Sequence, residues 1–412
     1  MMKTQSMKQN KTTTDQARTE GAQELLLRRP LQILYVLLLA LLVLAPVVVF
    51  YALKSHIDTE NYEQRTLSPF PFSQEAKDAG QTTTIETFPS QFESWLNDHL
   101  PFRNQLLTLY GALEYHVLHT TSSQSVIVGK DGWLFYKGAQ VADEDPIGDY
   151  MGTNLFTQEE LEKIAANFTA ARDELEGRGC SFTIYIAPNK ERVYSEYMPD
   201  MYGEPVSDNR AVQLVNYLTQ NTDLTVIWGY DEIMAYREQN PDTDLYFKYD
   251  THWNNLGAYI GCEKLVNTLG FDFTPLEYVT VEDRHTGSYD LARLIHLEKQ
   301  LTDCPYYLLT GYTPHPLQTE QEDGGKVLRF TTTDGAAPGG KLFVIGDSFS
   351  TMMSPYLACH YQSGYTTFYY NYSHGQLLRE EPTAVVYETV ERYVGNMLNF
   401  TLVDGYQGDL TE

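Results

Sequence analysis

Two short stretches of this chain bring together residue types suited to acyl transfer. The first is Gly346-Asp347-Ser348, which directly follows the apolar run 341–345 and precedes a helix-like segment. A small glycine permits a sharp strand-to-helix turn, which presents the Ser348 hydroxyl at a sheet edge and points backbone N–H groups at an oxyanion. Gly-Asp-Ser is also a common turn sequence, so the preceding strand is what favours a nucleophile.

The second stretch is Asp250-Thr251-His252-Trp253-Asn254. Alternate residues of an extended segment share a face, so Asp250 can bond directly to His252. A following helix N-terminus disfavours imidazolium, and the carboxylate offsets that effect. Trp253 either lines one side of a site or anchors the helix. From residue types alone, the stretch is explained equally well if Asp250 and Asn254 are competing helix caps and His252 is a surface residue.

The two stretches together predict a catalytic set. A serine nucleophile needs a general base, and the base needs an orienting group, so Ser348, His252 and Asp250 form a coherent set for acyl transfer. No group of His, Asp and Glu has ligand spacing on one element, and we therefore predict neither a metal nor a cofactor.

Further polar residues follow the predicted strands. Asn189 and Lys190 come after strand 181–187 and could donate to an oxyanion or a sugar, although ordinary loop polarity is at least as good an explanation. Asn371, after strand 365–370, is another candidate oxyanion donor. A supporting ion-pair network is predicted from Glu388, Glu391 and Arg392.

The elements that position these residues follow an α/β pattern. Short all-apolar strands alternate with amphipathic helices, which indicates a mostly parallel sheet covered on both faces. Active residues of such folds collect at the C-terminal ends of the strands. The predicted strands are 181–187, 224–228, 341–345, 365–370 and 383–387. We expect the excursion 271–340 to contain strands and to contribute to the site, because it is long for a structureless loop.

The N-terminal region predicts a membrane anchor. Residues 1–30 form a polar tail, and residues 31–53 are an apolar run long enough to cross a bilayer. Six basic residues precede the run and only Lys54 follows closely, which predicts a cytoplasmic N-terminus and an extracytoplasmic body. An irregular stalk over 54–90 and a catalytic domain over 91–412 complete the predicted organisation.

Charge and cysteine content restrict the partners and the redox chemistry. The chain has a net charge of −26, and residues 55–412 alone carry 22 basic and 52 acidic side chains. Such an excess nearly excludes nucleic acid and would repel a strongly anionic polymer at long range. The four cysteines are widely spaced without a CxxC pair, so we predict small buried thiols.

Several motifs in order carry a resemblance to a known family. They are Asn61-x-x-x-Arg65-x-Leu67-x-x-Phe70-Pro71, the Trp95/Asp98/Phe102-Arg103 helix, the block 128–135, Pro188-Asn189-Lys190, Asp250-x-His252-Trp253, Gly346-Asp347-Ser348 and Val390-Glu391-Arg392. With them the chain resembles the DHHW-motif proteins, relatives of the alginate O-acetyltransferases in the SGNH-hydrolase-like superfamily. One departure is that Thr251 occupies the place of the motif's first histidine.

The resemblance implies a fold, a mechanism and partners. It implies a three-layer α/β/α sandwich in which Ser348 is the nucleophile, His252 the base and Asp250 its orienting group. The implied reaction is O-acetylation of an extracytoplasmic polysaccharide, with a multi-span membrane acyltransferase delivering the acetyl group. Two alternatives stay open, an acetylesterase that uses the same residues and a non-catalytic glycan- or wall-binding protein on the same fold.

Overall fold

The computed structural model describes residues 32–57, 66–138, 144–285 and 287–408. The predicted tail 1–30 and the Asn61 and Arg65 positions of the family motif lie outside these ranges. The chain divides into two compact units, one ending at Leu109 and the other beginning at Tyr110.

The first unit contains the apolar helix α1, Gln32–His56. Its most apolar 18-residue stretch has a mean hydropathy of 3.1, and none of that stretch is buried. By length and composition the helix is therefore able to cross a membrane. The predicted stalk is less irregular than expected, since a short helix, Gln74–Asp78, lies within it and the next helix already begins at Phe88. Trp95 of that helix makes an edge-to-face contact with Phe70, with 4.9 Å between the ring centroids.

The helices that follow α1 in the described ranges contain between 4 and 19 residues. They are α2 (Gln74–Asp78), α3 (Phe88–Asp98), α4 (Arg103–Leu113), α5 (Pro146–Met151), α6 (Gln158–Glu176), α7 (Lys190–Val193), α8 (Arg210–Asn221), α9 (Tyr230–Gln239), α10 (Asn255–Thr268), α11 (Asp290–Leu294), α12 (Ser348–Ala358) and α13 (His374–Glu380). A π-helical turn follows α4 at Glu114–Leu118, and the segment after the last long strand, Glu391–Asn399, is 3₁₀-helical.

In its described residues, the strands of the second unit belong to one large sheet and three small ones. They are β1 (Val126–Val128), β2 (Leu134–Tyr136), β3 (Ser181–Ala187), β4 (Thr225–Trp228), β5 (Thr280–His285), β6 (Pro305–Thr310), β7 (Leu317–Glu322), β8 (Val327–Thr332), β9 (Gly339–Gly346), β10 (Tyr361–Phe368), β11 (Ala384–Val390), β12 (Phe400–Thr401) and β13 (Gly405–Tyr406).

The large sheet has the order β4-β3-β11-β9-β10-β8-β7. The first five strands in that order are parallel, while β8 and β7 add an antiparallel edge. The carboxyl ends of the five parallel strands therefore lie along one edge, and β9 is the middle strand of the seven-stranded sheet. The fold is the mostly parallel α/β sheet that the sequence predicts, and the predicted excursion 271–340 contains β5 to β8.

Successive residues of the central strand enter opposite layers of the core. Leu342 and Val344 pack in the cluster that includes α10 and α12. Phe343 and Ile345 pack in the cluster that includes α6 and α8. Because strand side chains alternate between faces, a continuously apolar strand is what two covered faces require. The result is an α/β/α sandwich.

Local sequence signals account for several element boundaries. Thr157 and Glu160 form a reciprocal capping box at the start of α6. The Asn254 side chain accepts from the Gly257 N–H and so caps α10 as predicted. All four cysteines are buried free thiols, which confirms that prediction.

Candidate active site

The turn after β9 places Ser348 at the N-terminus of α12. A Cβ on Gly346 would lie 2.6 Å from Cβ of Ser350 and 2.7 Å from Oε2 of Glu388, so the turn has no room for a side chain. The carboxylate of Asp347 then caps the helix, accepting from the N–H of Phe349 at 2.8 Å. Both features hold Ser348, a partly exposed residue, at the C-terminal end of β9.

A narrow loop presents the Asp-x-His stretch beside that hydroxyl. Tyr246 and Trp253 pair across the loop, and the N–H of Phe247 donates to the carbonyl of His252 at 3.1 Å. Lys190 supports the loop from inside, with its Nζ 2.6–3.0 Å from four carbonyl oxygens, three of them in the loop at positions 247, 248 and 250.

Three side chains form one hydrogen-bonded row. Nε2 of His252 lies 2.7 Å from Oγ of Ser348, and Nδ1 lies 2.6 Å from Oδ1 of Asp250. The same carboxylate oxygen accepts from the backbone N–H of His252 at 3.0 Å. The side chains of His252 and Asp250 are 22% and 13% exposed, so the row is open to solvent at the histidine and mostly enclosed at the aspartate.

The ionisation of the row follows from burial and mutual charge. Burial opposes ionisation of Asp250, but the charge and hydrogen bonds of His252 outweigh it and hold the pKa of Asp250 well below its usual range. Burial likewise disfavours imidazolium, yet the charge and hydrogen bond of Asp250 raise the pKa of His252 above its ordinary value. A protonated His252 is therefore stabilised, as a general base needs after it takes a proton.

A second carboxylate adjoins the row. Asp290, at the start of α11, accepts from both the N–H and the hydroxyl of Thr251, at 2.9 and 2.6 Å. Its own N–H donates to Oδ2 of Asp250 at 2.8 Å. Sequence reasoning missed Asp290, since it lies 40 residues beyond Asp250 in a segment without a recognisable motif. The expectation that the excursion contributes to the site was the only signal for it.

Asp250, His252 and Asp290 also meet the spacing of a cation site. One ligand atom from each lies within 4.8 Å of the others. All three groups already share hydrogen bonds with each other or with Thr251, which is the arrangement of a positioned imidazole. The sequence predicts no such grouping, because ligand spacing is recognisable only within one element and Asp290 lies on a different element from Asp250 and His252.

A buried polar network lies beneath the turn. Oδ2 of Asp347 accepts from the N–H of Val390 at 2.7 Å, and Oε2 of Glu388 accepts from the N–H of Asp347 at 3.1 Å. Burial raises the pKa of Asp347 and, together with that neighbouring carboxylate, raises the pKa of Glu388 well above its usual range. Burial thus disfavours the charged form of both carboxyl groups, and their bonds to backbone N–H groups hold the turn against β11.

The predicted ion-pair network after β11 forms with a different partner. Glu391 pairs with Arg192 at 2.8 Å and also accepts from the side chain of Asn209. Arg392 instead packs its guanidinium 5.2 Å from the centroid of the Phe349 ring, next to the candidate nucleophile.

Four secondary candidates lie in different environments. Lys190 is fully buried, and its contacts with four carbonyl oxygens give it a structural position in place of the predicted contact with substrate. Trp253 is also fully buried and packs 5.0 Å from Phe349, so it anchors the helix and does not line an open site. The placement of Lys190 corrects its interpretation as a substrate contact, and the placement of Trp253 agrees with the second of its two alternatives, helix anchoring.

The two asparagines considered as oxyanion donors differ from each other. Asn371 is exposed and donates to Asp323 at 3.1 Å; within the described ranges no hydrogen bond joins it to the row. Asn189 is buried at the C-terminal end of β3, just before α7, with Nδ2 unpaired among the described groups, and β11 separates β3 from β9. The backbone N–H of Ser348 likewise has no acceptor in the described part of the chain.

This fold and arrangement define an SGNH hydrolase-like protein. A family model described as "SGNH hydrolase-like domain, acetyltransferase AlgX" matches residues 126–362, more than half of the chain. The chain belongs to this family, which confirms the resemblance found in the sequence.

Individual relatives are more distant. The chain is 26% identical over 277 residues to a Pseudomonas aeruginosa protein named "Probable alginate O-acetylase AlgJ". That match covers 65% of this chain and 62% of the relative, so the chain spans about three fifths of that protein's length. A Pseudomonas putida protein of the same name is 23% identical over 326 residues, covering 73% of this chain and 78% of the relative. A solved DHHW family protein from Eubacterium siraeum is 14% identical with a TM-score of 0.47, covering 67% and 99% of the two chains.

Proposed function

We propose that this chain is a membrane-anchored, extracytoplasmic O-acetyltransferase that acetylates a polysaccharide through an acyl-enzyme on Ser348. The observation that carries the proposal is the row in which Oγ of Ser348 lies 2.7 Å from Nε2 of His252, with Asp250 on the other ring nitrogen. Membership of the AlgX family and the likeness to proteins named alginate O-acetylases support the acetyl group and the polysaccharide class.

The first half-reaction forms the acyl-enzyme. Oγ of Ser348 attacks the carbonyl carbon of the donor ester while its proton passes to Nε2 of His252. The oxyanion forms beside the N-terminus of α12, where the N–H of Ser348 is available as a donor. The tetrahedral intermediate then breaks its bond to the donor oxygen, which leaves with the proton from Nε2.

The second half-reaction reverses the roles. The oxygen of a sugar hydroxyl attacks the acetyl carbonyl, and its proton passes to Nε2 of His252. When the second intermediate collapses, the acetyl group leaves with the sugar and Oγ of Ser348 recovers the proton. Asp250 keeps the tautomer with hydrogen on Nδ1 throughout, because its carboxylate accepts a hydrogen bond from the Nδ1–H.

The proposal includes a location and a partner. We place the N-terminus of α1 in the cytoplasm and the second unit outside, on the basis of the basic residues that precede the span. A multi-span acyltransferase is the proposed source of acetyl groups, since the acyl donor must cross the membrane. A single-cysteine label placed in the second unit should react with a membrane-impermeant maleimide in intact cells, and labelling only after lysis would contradict this orientation.

The test of the reaction uses the full chain in detergent with a chromogenic acetyl ester. We expect Ser348→Ala to reduce the rate about ten-thousand-fold. Ser354→Ala is the matched control, because Ser354 lies on the same helix and bonds to Ser350 and Thr366. Equal rates in the wild type and Ser348→Ala would contradict the proposal.

The acceptor distinguishes transfer from hydrolysis. With oligosaccharide present, mass spectrometry should detect acetylated sugar at the expense of free acetate. Release of acetate alone at every acceptor concentration would favour the esterase alternative, which uses the same residues. Glycan binding that persists in Ser348→Ala, in a protein without any turnover, would favour the non-catalytic alternative.

A further inference from the structure

We propose that Asp290 is a positioning residue for the reaction: from α11 it fixes Asp250 and the hydroxyl of Thr251 against Nδ1 of His252. The inference rests on the proposed function of the row. It gives a role to the excursion 271–340 and to Thr251, the residue at which the chain departs from the DHHW motif.

The first step of the argument concerns Asp250. Its Oδ1 accepts from His252, and its Oδ2 accepts from the N–H of Asp290 at 2.8 Å. Each carboxylate oxygen therefore has a donor on a different element, which prevents the carboxylate from rotating away from the imidazole. A carboxylate held by one donor alone would have that freedom.

The second step concerns the hydroxyl of Thr251. Its single proton points to Oδ2 of Asp290, because the two oxygens are 2.6 Å apart and the carboxylate is the acceptor. The same hydroxyl oxygen lies 3.2 Å from Nδ1 of His252. With its proton committed to Asp290, the hydroxyl presents a lone pair to Nδ1. It therefore favours the tautomer with hydrogen on Nδ1, which leaves Nε2 free to accept the proton of Ser348.

The third step concerns charge. Oδ2 of Asp290 lies 3.8 Å from Nδ1 of His252, so the imidazole faces two carboxylates. Partial burial and the adjacent Asp250 raise the pKa of Asp290 to about 6, so above that pH it adds negative charge beside the imidazole. The positive charge of Arg392 opposes this effect by lowering the pKa of His252. The charge of His252 in turn acts to lower the pKa of Asp347. Lys190 is held at the carbonyl of Asp250. The Asp290 side chain is 40% exposed, so solvent screens its contribution.

The segment that carries Asp290 is fixed to the catalytic loop. The N–H of Ala292 donates to the carbonyl of Tyr249 at 3.1 Å. Tyr289 is buried and packs 5.5 Å from the ring of Phe247 and 6.1 Å from that of Tyr249. The position of Asp290 is thus determined by packing independently of its carboxylate, so replacing the carboxylate tests the carboxylate itself.

The test compares Asp290→Asn, Thr251→Val and Asp334→Asn in the full chain in detergent. Asp334→Asn is the matched control, since it removes another carboxylate of the excursion that bonds a histidine, His315, at 2.8 Å. The readouts are the pH dependence of kcat/KM with a chromogenic acetyl ester and the titration of the His252 imidazole by ¹⁵N NMR. The His252→Gln spectrum identifies the resonance.

For Asp290→Asn we expect the His252 titration and the acid limb of the pH profile to move down together by about 0.5 pH unit or more. We expect kcat to fall about tenfold or more with KM nearly unchanged. Thr251→Val should lower kcat without the same shift, because it removes a hydroxyl and no charge. Asp334→Asn should match the wild type in both readouts.

Two results would overturn the proposal. One is a His252 titration in Asp290→Asn that coincides with the wild type, even if kcat falls, because that result assigns Asp290 a structural role only. The other is an unchanged kcat in a folded Thr251→Val, which decides the matter if Asp290→Asn does not fold. If the wild type has no turnover, the proposed function fails, while the imidazole titration still tests Asp290.

Discussion

At the scale of the residue, reactivity depends on where His252 holds its protons. Only the neutral imidazole can accept the Ser348 proton. The Asp250 carboxylate raises the pKa of His252 above its ordinary value, near 6.5, in spite of burial. We therefore predict that kcat/KM falls as the pH drops through a midpoint above about 6.5 and reaches its plateau at higher pH. A pH profile with a chromogenic acetyl ester measures that midpoint, and a midpoint well below 6 would contradict this account.

Removing the charge of Asp250 tests how this carboxylate controls the protonation of the His252 imidazole. Asp250→Asn leaves the shape of the side chain but lets an amide N–H point at Nδ1, which favours the wrong tautomer. We predict a loss in kcat of about ten-thousand-fold. The yield of folded protein and its melting temperature serve as the control for loss of folding. A variant that keeps more than about a tenth of the wild-type rate would show that Asp250 does not orient the imidazole.

At the scale of the element, the turn between β9 and α12 depends on a missing side chain. Gly346→Ala would place a Cβ within 3 Å of Ser350 and Glu388, so the turn must shift. We predict a loss of about 1–3 kcal/mol in the free energy of unfolding together with reduced turnover. Gly364→Ala on the neighbouring strand is the control, because its new Cβ would meet Ala358 and Phe330 at 3.4 Å. Thermal and denaturant unfolding measure both, and equal effects would argue against a special turn.

The loop that carries Asp250 and His252 depends on Lys190. Replacing this lysine with methionine leaves four buried or partly buried carbonyl oxygens without their common donor. We predict that Lys190→Met lowers the free energy of unfolding by at least about 3 kcal/mol. Lys264→Met is the control, since Lys264 is half exposed and lies 3.6 Å from Glu232; we expect it to change stability by less than about 1 kcal/mol. Chemical denaturation that ranks the two variants the other way would refute this role.

The sequence predicted those elements whose signals are local. The apolar strand 181–187 and the glycine before Ser348 each act within a few residues, and both appear in the structure as predicted. Lys190 and Asp290 were misread or missed because their partners lie about 40–60 residues away in the chain. Only the folded chain brings such residues together, so periodicity and motif spacing contain no signal for them.

At the scale of the whole molecule, net charge bears on the choice of acceptor. Residues 55–412 carry 52 acidic and 22 basic side chains, so an anionic polysaccharide meets long-range repulsion that a neutral one does not. We predict that transfer to an anionic oligosaccharide speeds up about two- to tenfold between about 0.02 M and about 0.2 M salt. Transfer to a neutral oligosaccharide should change little. If the rate of transfer to the anionic acceptor instead falls as the salt concentration rises, attraction by local basic residues outweighs the repulsion from the net charge.

The central claim is that Ser348 carries the acetyl group between donor and acceptor. The most direct measurement is rapid acid quenching of the full chain during turnover of an acetyl ester, followed by peptide mass spectrometry. The account predicts a transient acetyl group on Ser348 in the wild type and in Ser354→Ala, and none in Ser348→Ala. Steady turnover with Ser348 unmodified, or with the acetyl group on another residue that Ser348→Ala does not affect, would contradict it.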